Sequence, residues 1–145
     1  MTIGPVVVDT NIVVSGHVTR DPEAPTARIL NGMFRRAFDF LISVELLAEY
    51  RSVLLRPKIA SLHGLTTEEV DDVLTEIAAN AIVREPGQTD ETPPDRNDQH
   101  LWSLLATHAG SVLVAGDQAL LDNPPTASST LSARAFVELV ENSAD

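Results

Sequence analysis

Cysteine is absent from the 145 residues, which removes disulfides, thiolate catalysis and any zinc site built on sulfur. A bound metal must therefore sit on oxygen or imidazole. Lysine is nearly absent as well, Lys58 standing alone against nine arginines. The formal net charge is −11 and the isoelectric point lies near 4.6. That balance argues against broad sequence-independent adhesion to nucleic acid, whose affinity comes largely from Lys and Arg neutralising phosphates. No apolar run approaches the roughly 18 residues needed to cross a bilayer, and "MTIGPVVVDTN" meets a carboxylate with no basic leader before it. The expectation is a cytoplasmic protein that does not enter a membrane. Phosphate-cradling and nucleophile motifs of the G-x-x-x-x-G-K-[ST], G-x-G-x-x-G and G-x-S-x-G types are missing too.

What is present is a chain of one ordinary domain's length, 43% hydrophobic, so a single domain over residues 1–145 with a real core is expected. Val6 to Val8 read as a buried central strand. The stretch "GHVTRDPEAP" reads as a loop broken by Gly16, Pro22 and Pro25, and "TARILNGMFRRAF" as a helix with apolar spacing at Ile29, Leu30, Met33 and Phe34. "DFLI" is a second strand. Ser43 caps a helix "VELLAEYRSVLL" that Pro57 stops. Thr66, with Glu69 three residues on, opens "TTEEVDDVLTEIAANA" as a capping box. "AIVRE" is a third strand, and "EPGQTDETPP" an exposed loop of the kind that borders sites. A helix over about Asp95 to His108 follows, then the strand "SVLVA", a short helix "QALL", a strand near Ser128 to Leu131, and a terminal helix "ARAFVELVE" capped by Ser132. Strands alternate with helices throughout, which gives a three-layer α/β/α sandwich around a mainly parallel sheet.

Most of the acids are ordinary solvated surface, as Glu68, Asp71, Asp72, Glu76, Glu138 and Glu141 illustrate. Four stand where burial is expected. Asp9 and Asp117 each close a strand, and ligands bind at the carboxyl ends of strands in open α/β sheets; the plain alternative for Asp9 is a helix N-cap. Asp98 shares a helical stripe with Leu101, Trp102 and Leu105, where a carboxylate is costly unless paired or metal-bound; its alternative is a favourable interaction with the helix N-terminus, with Asp95 as cap. Glu49 lies beside the stripe of Leu46, Leu47, Tyr50 and Leu54, with Glu45 farther round. Packing four carboxylates together raises some of their pKa values unless a cation neutralises them, and a hard ion on oxygen ligands, Mg²⁺ or Mn²⁺, suits such a pocket. Phosphotransfer chemistry fits less well: Lys58 follows a helix rather than a later strand, and Asn11 stands where a phosphatase would have its second acid. His17, His63, His100 and His108 show no paired metal spacing and read as surface or structural residues.

The segments "VVVDTNIVVSG", "LLAEYRSVLLRPK", "DRNDQHLWSLLATHAG" and "VLVAGDQALL", in this order, resemble the PIN-domain family, in particular its toxin branch from toxin–antitoxin pairs. The resemblance implies that Asp9, Glu49, Asp98 and Asp117 hold a Mg²⁺ or Mn²⁺ ion and carry catalysis, with Thr10, Asn11 and Asp95 orienting them. It also implies metal-dependent endoribonuclease cleavage of single-stranded RNA, a small antitoxin as protein partner, and a homodimer. Two positions depart from the pattern: Ala115 lacks a hydroxyl before Gly-Asp, and Asn97 fills a slot that is commonly acidic. Arg51, Arg56 and Lys58, then Arg35 and Arg36, are the candidate cations for RNA. The competing expectation is a binding module with little catalysis, using apolar helix faces around Leu46 to Leu55 and Ile29 to Phe34 that otherwise serve as core.

Overall fold

Three β-branched residues, Val6–Val8, form strand β1 and are buried on both faces. They lie at the middle of the sheet in the computed structural model, which describes residues 4–143. Burial on both faces is the environment of a parallel strand covered by helices. β1 pairs in parallel with β4, Val112–Val114, in the register Val6 to Val112 and Val8 to Val114. β4 pairs in parallel with β5, Ser129–Leu131. On the other flank β2, Leu41–Ile42, pairs in parallel with β3, Ile82–Val83. One parallel bridge, Val6 to Phe40, joins this pair to β1, with Val6 N–H donating to the Asp39 carbonyl at 2.9 Å. The resulting strand order is β3-β2-β1-β4-β5.

Parallel neighbours require crossover connections, which as a rule are right-handed. The chain moves from β1 to β2 through α1, Thr10–Val18, and α2, Pro25–Arg35. It reaches β3 through α3, Val44–Leu54, α4, Pro57–His63, and α5, Thr67–Asn80. It then crosses back to β4 by way of a 3-10 turn, Arg96–Asp98, and α6, Gln99–Leu105. A short α7, Gln118–Asp122, leads to β5, and α8, Ala133–Ser143, returns to pack on α2. Reversing direction between β1 and β4 puts α6 and α7 on the face opposite α1–α5, so the expected α/β/α sandwich is the observed one. Between the layers lie Met33, Phe40, Leu46, Tyr50, Leu54, Trp102 and Phe136, all essentially inaccessible. The apolar faces of α2 and α3 are thus core: Ile29, Leu30 and Met33 in α2 and Leu46, Tyr50 and Leu54 in α3 are buried. No described helix is long and apolar enough to cross a membrane.

Several expectations need correction: Pro25 opens α2 as its first residue rather than breaking structure, and that helix ends at Arg35, with Arg36 left-handed at its cap, instead of running on to Phe38. Gly16 does not break the chain; α1 runs through it to Val18. A Cβ there would come within 2.7 Å of the Thr26 carbonyl and 3.0 Å of Leu30 Cβ, so the glycine is present because α1 and α2 cross closely. Pro57 does end α3, but it also begins α4 as its first residue, a position where its missing N–H leaves no bond unmade. The helix expected over 95–108 is shorter, because its first turn is the 3-10 segment and α6 ends at Leu105. The caps appear as expected. Ser43 Oγ accepts from Leu46 N–H, the Thr66–Glu69 box is complete, and Ser132 Oγ accepts from Ala135 N–H.

Candidate active site

The sheet reverses its winding between β1 and β4, and such a switch point is where open α/β sheets place their ligand crevice. Asp9 follows β1 there and Asp117 lies three residues beyond the end of β4. Each begins a helix. Asp9 Oδ1 accepts from Thr10 N–H at 2.9 Å at the head of α1, and Asp117 Oδ1 accepts from Ala119 N–H at 2.9 Å at the head of α7. The capping expectation for Asp9 is the observed one, and because capping engages one oxygen of each carboxylate it leaves the other open to a ligand. Beneath them, Tyr50 in α3 donates its phenolic hydroxyl to the Val8 carbonyl at 2.5 Å. That bond satisfies the strand just before Asp9, on the flank where pairing to β2 has stopped.

Glu49, the neighbour of Tyr50, is half-buried, and its Oε2 accepts from the Thr10 hydroxyl at 2.5 Å. Thr10 is itself buried. Asp98 stands at the junction of the 3-10 turn and α6, where its carboxylate makes no capping bond. The cap is Asp95, whose Oδ1 accepts from Asn97 N–H at 2.9 Å. Asn11 is exposed, and Ala115 is fully buried.

The electrostatics tie the four acids to one another. The Asp9 carboxyl is pushed up to about 6, chiefly by burial, against the opposing Thr10 N–H, with Asp98, Glu49 and Asp117 each adding repulsion. Asp98 is raised by burial first and then by Asp95 and Glu49, with His100 opposing and Asp117 adding further. Carboxylates whose charges act on a neighbour's ionisation occupy one electrostatic neighbourhood. Even so, among the described residues no three of His, Asp and Glu stand close enough to hold a metal ion as they are. The donor chemistry, four carboxylates without a balancing Lys or Arg in contact, is that of a hard-cation site; the spacing is wider than an ion's ligand sphere.

His100 belongs to this neighbourhood although its position in the sequence did not single it out. Its side chain is 8% exposed, and Nε2 lies 3.5 Å from Glu49 Oε2, while Nδ1 is buried without a partner. The signal available was its place two residues after Asp98, but nothing local says that α6 will bring it against α3. The candidate cations for RNA are dispersed. Arg51 donates from Nε to Asp71 at 2.7 Å, and Arg36 donates to Asn80 Oδ1 and to the Ala79 carbonyl. Arg35 lines a groove between α2 and α8. Arg56 and Lys58 are exposed at the start of α4.

No curated protein matches the chain. Among solved structures it is similar to the PIN domain of T. brucei RRP44, at 16% identity and a TM-score of 0.49, covering 98% of this chain and 82% of that one. The PIN domain family matches residues 5–119, a span that takes in both strand-end aspartates, the Thr10–Glu49 contact and the turn carrying Asp98, and the chain belongs to that family.

Proposed function

We propose that the protein is a Mg²⁺- or Mn²⁺-dependent endoribonuclease that cuts single-stranded RNA. PIN domains are generally nucleases that use divalent metals, and the observation carrying the reading is that Asp9, buried at the switch point, and Asp98 are both pushed up by burial, with Glu49 and Asp117 adding repulsion to each. Asp9 and Asp98 would hold the ion directly, with Asp117 and Glu49 completing its surroundings directly or through water. When bound, the ion supplies counter-charge to the scissile phosphate and acidifies a water. Glu49, whose Oε2 accepts from the Thr10 hydroxyl, would receive a proton from the attacking water. In-line attack on phosphorus breaks the bond to the 3′ oxygen, which leaves as a hydroxyl, and the other product carries a 5′-phosphate.

The toxin role, with an antitoxin partner and a homodimer, extends this reading on the strength of the four segments in their order. A second reading, a binding module with little catalysis, is favoured by one observation: the acids are not gathered at ligating distance. Labelled single-stranded RNA incubated with Mn²⁺ or Mg²⁺ separates the two. Cleavage abolished by EDTA and by Asp9→Asn supports the nuclease, whereas cleavage indifferent to both removes the metal mechanism. A protein that neither binds Mn²⁺ nor cleaves is the module.

A further inference from the structure

Next to the acids lies a second, polar cleft of about 360 Å³, lined by Glu45, Pro86, Arg96, Asn97, Gln99, His100 and Ser103. Its size falls at the small end of the roughly 300–1,000 Å³ typical of ligand sites. His100 is the shared wall, since the same ring that lines the cleft faces Glu49 at 3.5 Å. The cleft is assembled from α3, the loop before the 3-10 turn, the turn itself and α6, so the elements that carry Glu49 and Asp98 also shape it.

Gln99 of its lining donates from Nε2 to the Glu91 carbonyl and His100 faces Glu49, but three of its polar side chains are uncommitted. Among the described residues, no side-chain hydrogen bond or ion pair engages Arg96, Asn97 or Glu45, in contrast to Arg51 on Asp71 and Arg36 on Asn80. In a chain of net charge −11, a polyanion needs a local cation, and Arg96 is one standing two residues from Asp98. Arg and Asn side chains are phosphate and base-edge readers, and single-stranded RNA is read by hydrogen bonds to splayed bases that also stack on flat side chains. Glu45 adds acceptors only. A carboxylate matches two adjacent N–H donors, and among the four RNA bases only guanine offers two such donors, at N1 and N2.

We propose that this cleft is a subsite for a single RNA nucleotide flanking the scissile phosphate, with Arg96 on the phosphate, Asn97 on the base and Glu45 on the donor edge of guanine. The role beside the scissile bond rests on the endoribonuclease reading; the nucleotide-binding chemistry does not. Metal-free protein in EDTA is titrated with each of the four ribonucleoside 5′-monophosphates and followed by amide NMR shifts. GMP should perturb Arg96 to Ser103 and bind several-fold more tightly than AMP, CMP or UMP. Arg96→Ala should weaken all four by about the same factor, and Glu45→Gln should erase the preference for GMP while leaving the fold's amide spectrum intact. Shifts located elsewhere, or a guanine preference that survives Glu45→Gln, overturn the subsite. In parallel, the cut sites in a mixed-sequence RNA are mapped with Mn²⁺ present. Metal-dependent cleavage with no guanosine bias overturns the subsite and leaves the nuclease. Selective GMP binding in a protein that never cleaves overturns the nuclease and leaves the nucleotide site.

Discussion

Asp9 is held in a state that opposes folding, and this can be measured. Its carboxyl titrates near 6 in the folded chain, against an ordinary value of 3.8, so folding favours the protonated form. Below about pH 4 both states are protonated and nothing is lost; as pH rises through 6, stability falls by up to about 3 kcal/mol. Asp9→Asn keeps an acceptor for Thr10 N–H and removes the charge. In EDTA at pH 7 it should therefore melt higher than the parent, with the gap closing toward pH 4. Mn²⁺ at a hundred times its dissociation constant should raise the parent's stability by about 2.7 kcal/mol and the variant's far less. A second residue-scale prediction concerns Tyr50. Tyr50→Phe strands the buried Val8 carbonyl and should cost about 1–2 kcal/mol in urea unfolding. The four acids were legible in the sequence because each stood at a strand end or beside an apolar stripe. His100 and the Thr10–Glu49 bond were not, because both depend on where α3, α1 and α6 cross, and local pattern carries no record of crossings.

At the scale of elements, local chemistry was read well where the signal is local. Ser43, Ser132 and the Thr66–Glu69 box each satisfy a helix's free N–H groups within a few residues, and their helices begin where those residues say. The misreadings concern residues that punctuate in one context and pack in another. Gly16 reads as a breaker but serves as a gap for α2, Pro25 reads as a breaker but starts α2, and Pro57 stops α3 as read while also starting the next helix. Gly16→Ala should pry α1 from α2 and destabilise the protein by about 1–3 kcal/mol, observable as a lowered urea midpoint with unchanged slope. Because α1 is the helix that Asp9 heads and that carries Thr10, the same variant should also lower any Mn²⁺ affinity. The C-terminus of α2 is fastened differently. Asn80 Nδ2 donates to the Met33 and Phe34 carbonyls while Arg36, in the left-handed conformation at φ 54°, donates back to Asn80. That stitch gives Arg36 a structural task beyond the one its charge suggested.

For the whole molecule, the proposed reading makes the acidic balance decide how an RNA substrate is met. With few cations near the acids, binding should release few counter-ions. The slope of log affinity against log salt in metal-free binding is about −0.7 per phosphate contact on a single strand, so one or two contacts give about −1. A slope steeper than about −4 by fluorescence anisotropy would reveal a broad cationic face and contradict the cleft-centred picture. The layered architecture itself followed from the alternation of strands and helices. The strand order did not, because pairing of β1 with β4 across more than a hundred residues is decided by packing and crossover handedness rather than by any short segment.

The sheet is not one continuous plate. β1, β4 and β5 form one piece, β2 and β3 the other, and the Val6–Phe40 bridge is the rivet between them. Asp9 and Asp117 issue from the larger piece, while Glu49 rides on α3, which springs from β2 on the smaller. Tyr50 reaches across to Val8, and Thr10 reaches back to Glu49, as further fastenings. The spacing between Glu49 and the aspartates is therefore set across this seam by the Val6–Phe40 bridge and by the Tyr50–Val8 and Thr10–Glu49 bonds rather than by a full ladder, so loss of any one of these bonds bears directly on where Glu49 sits.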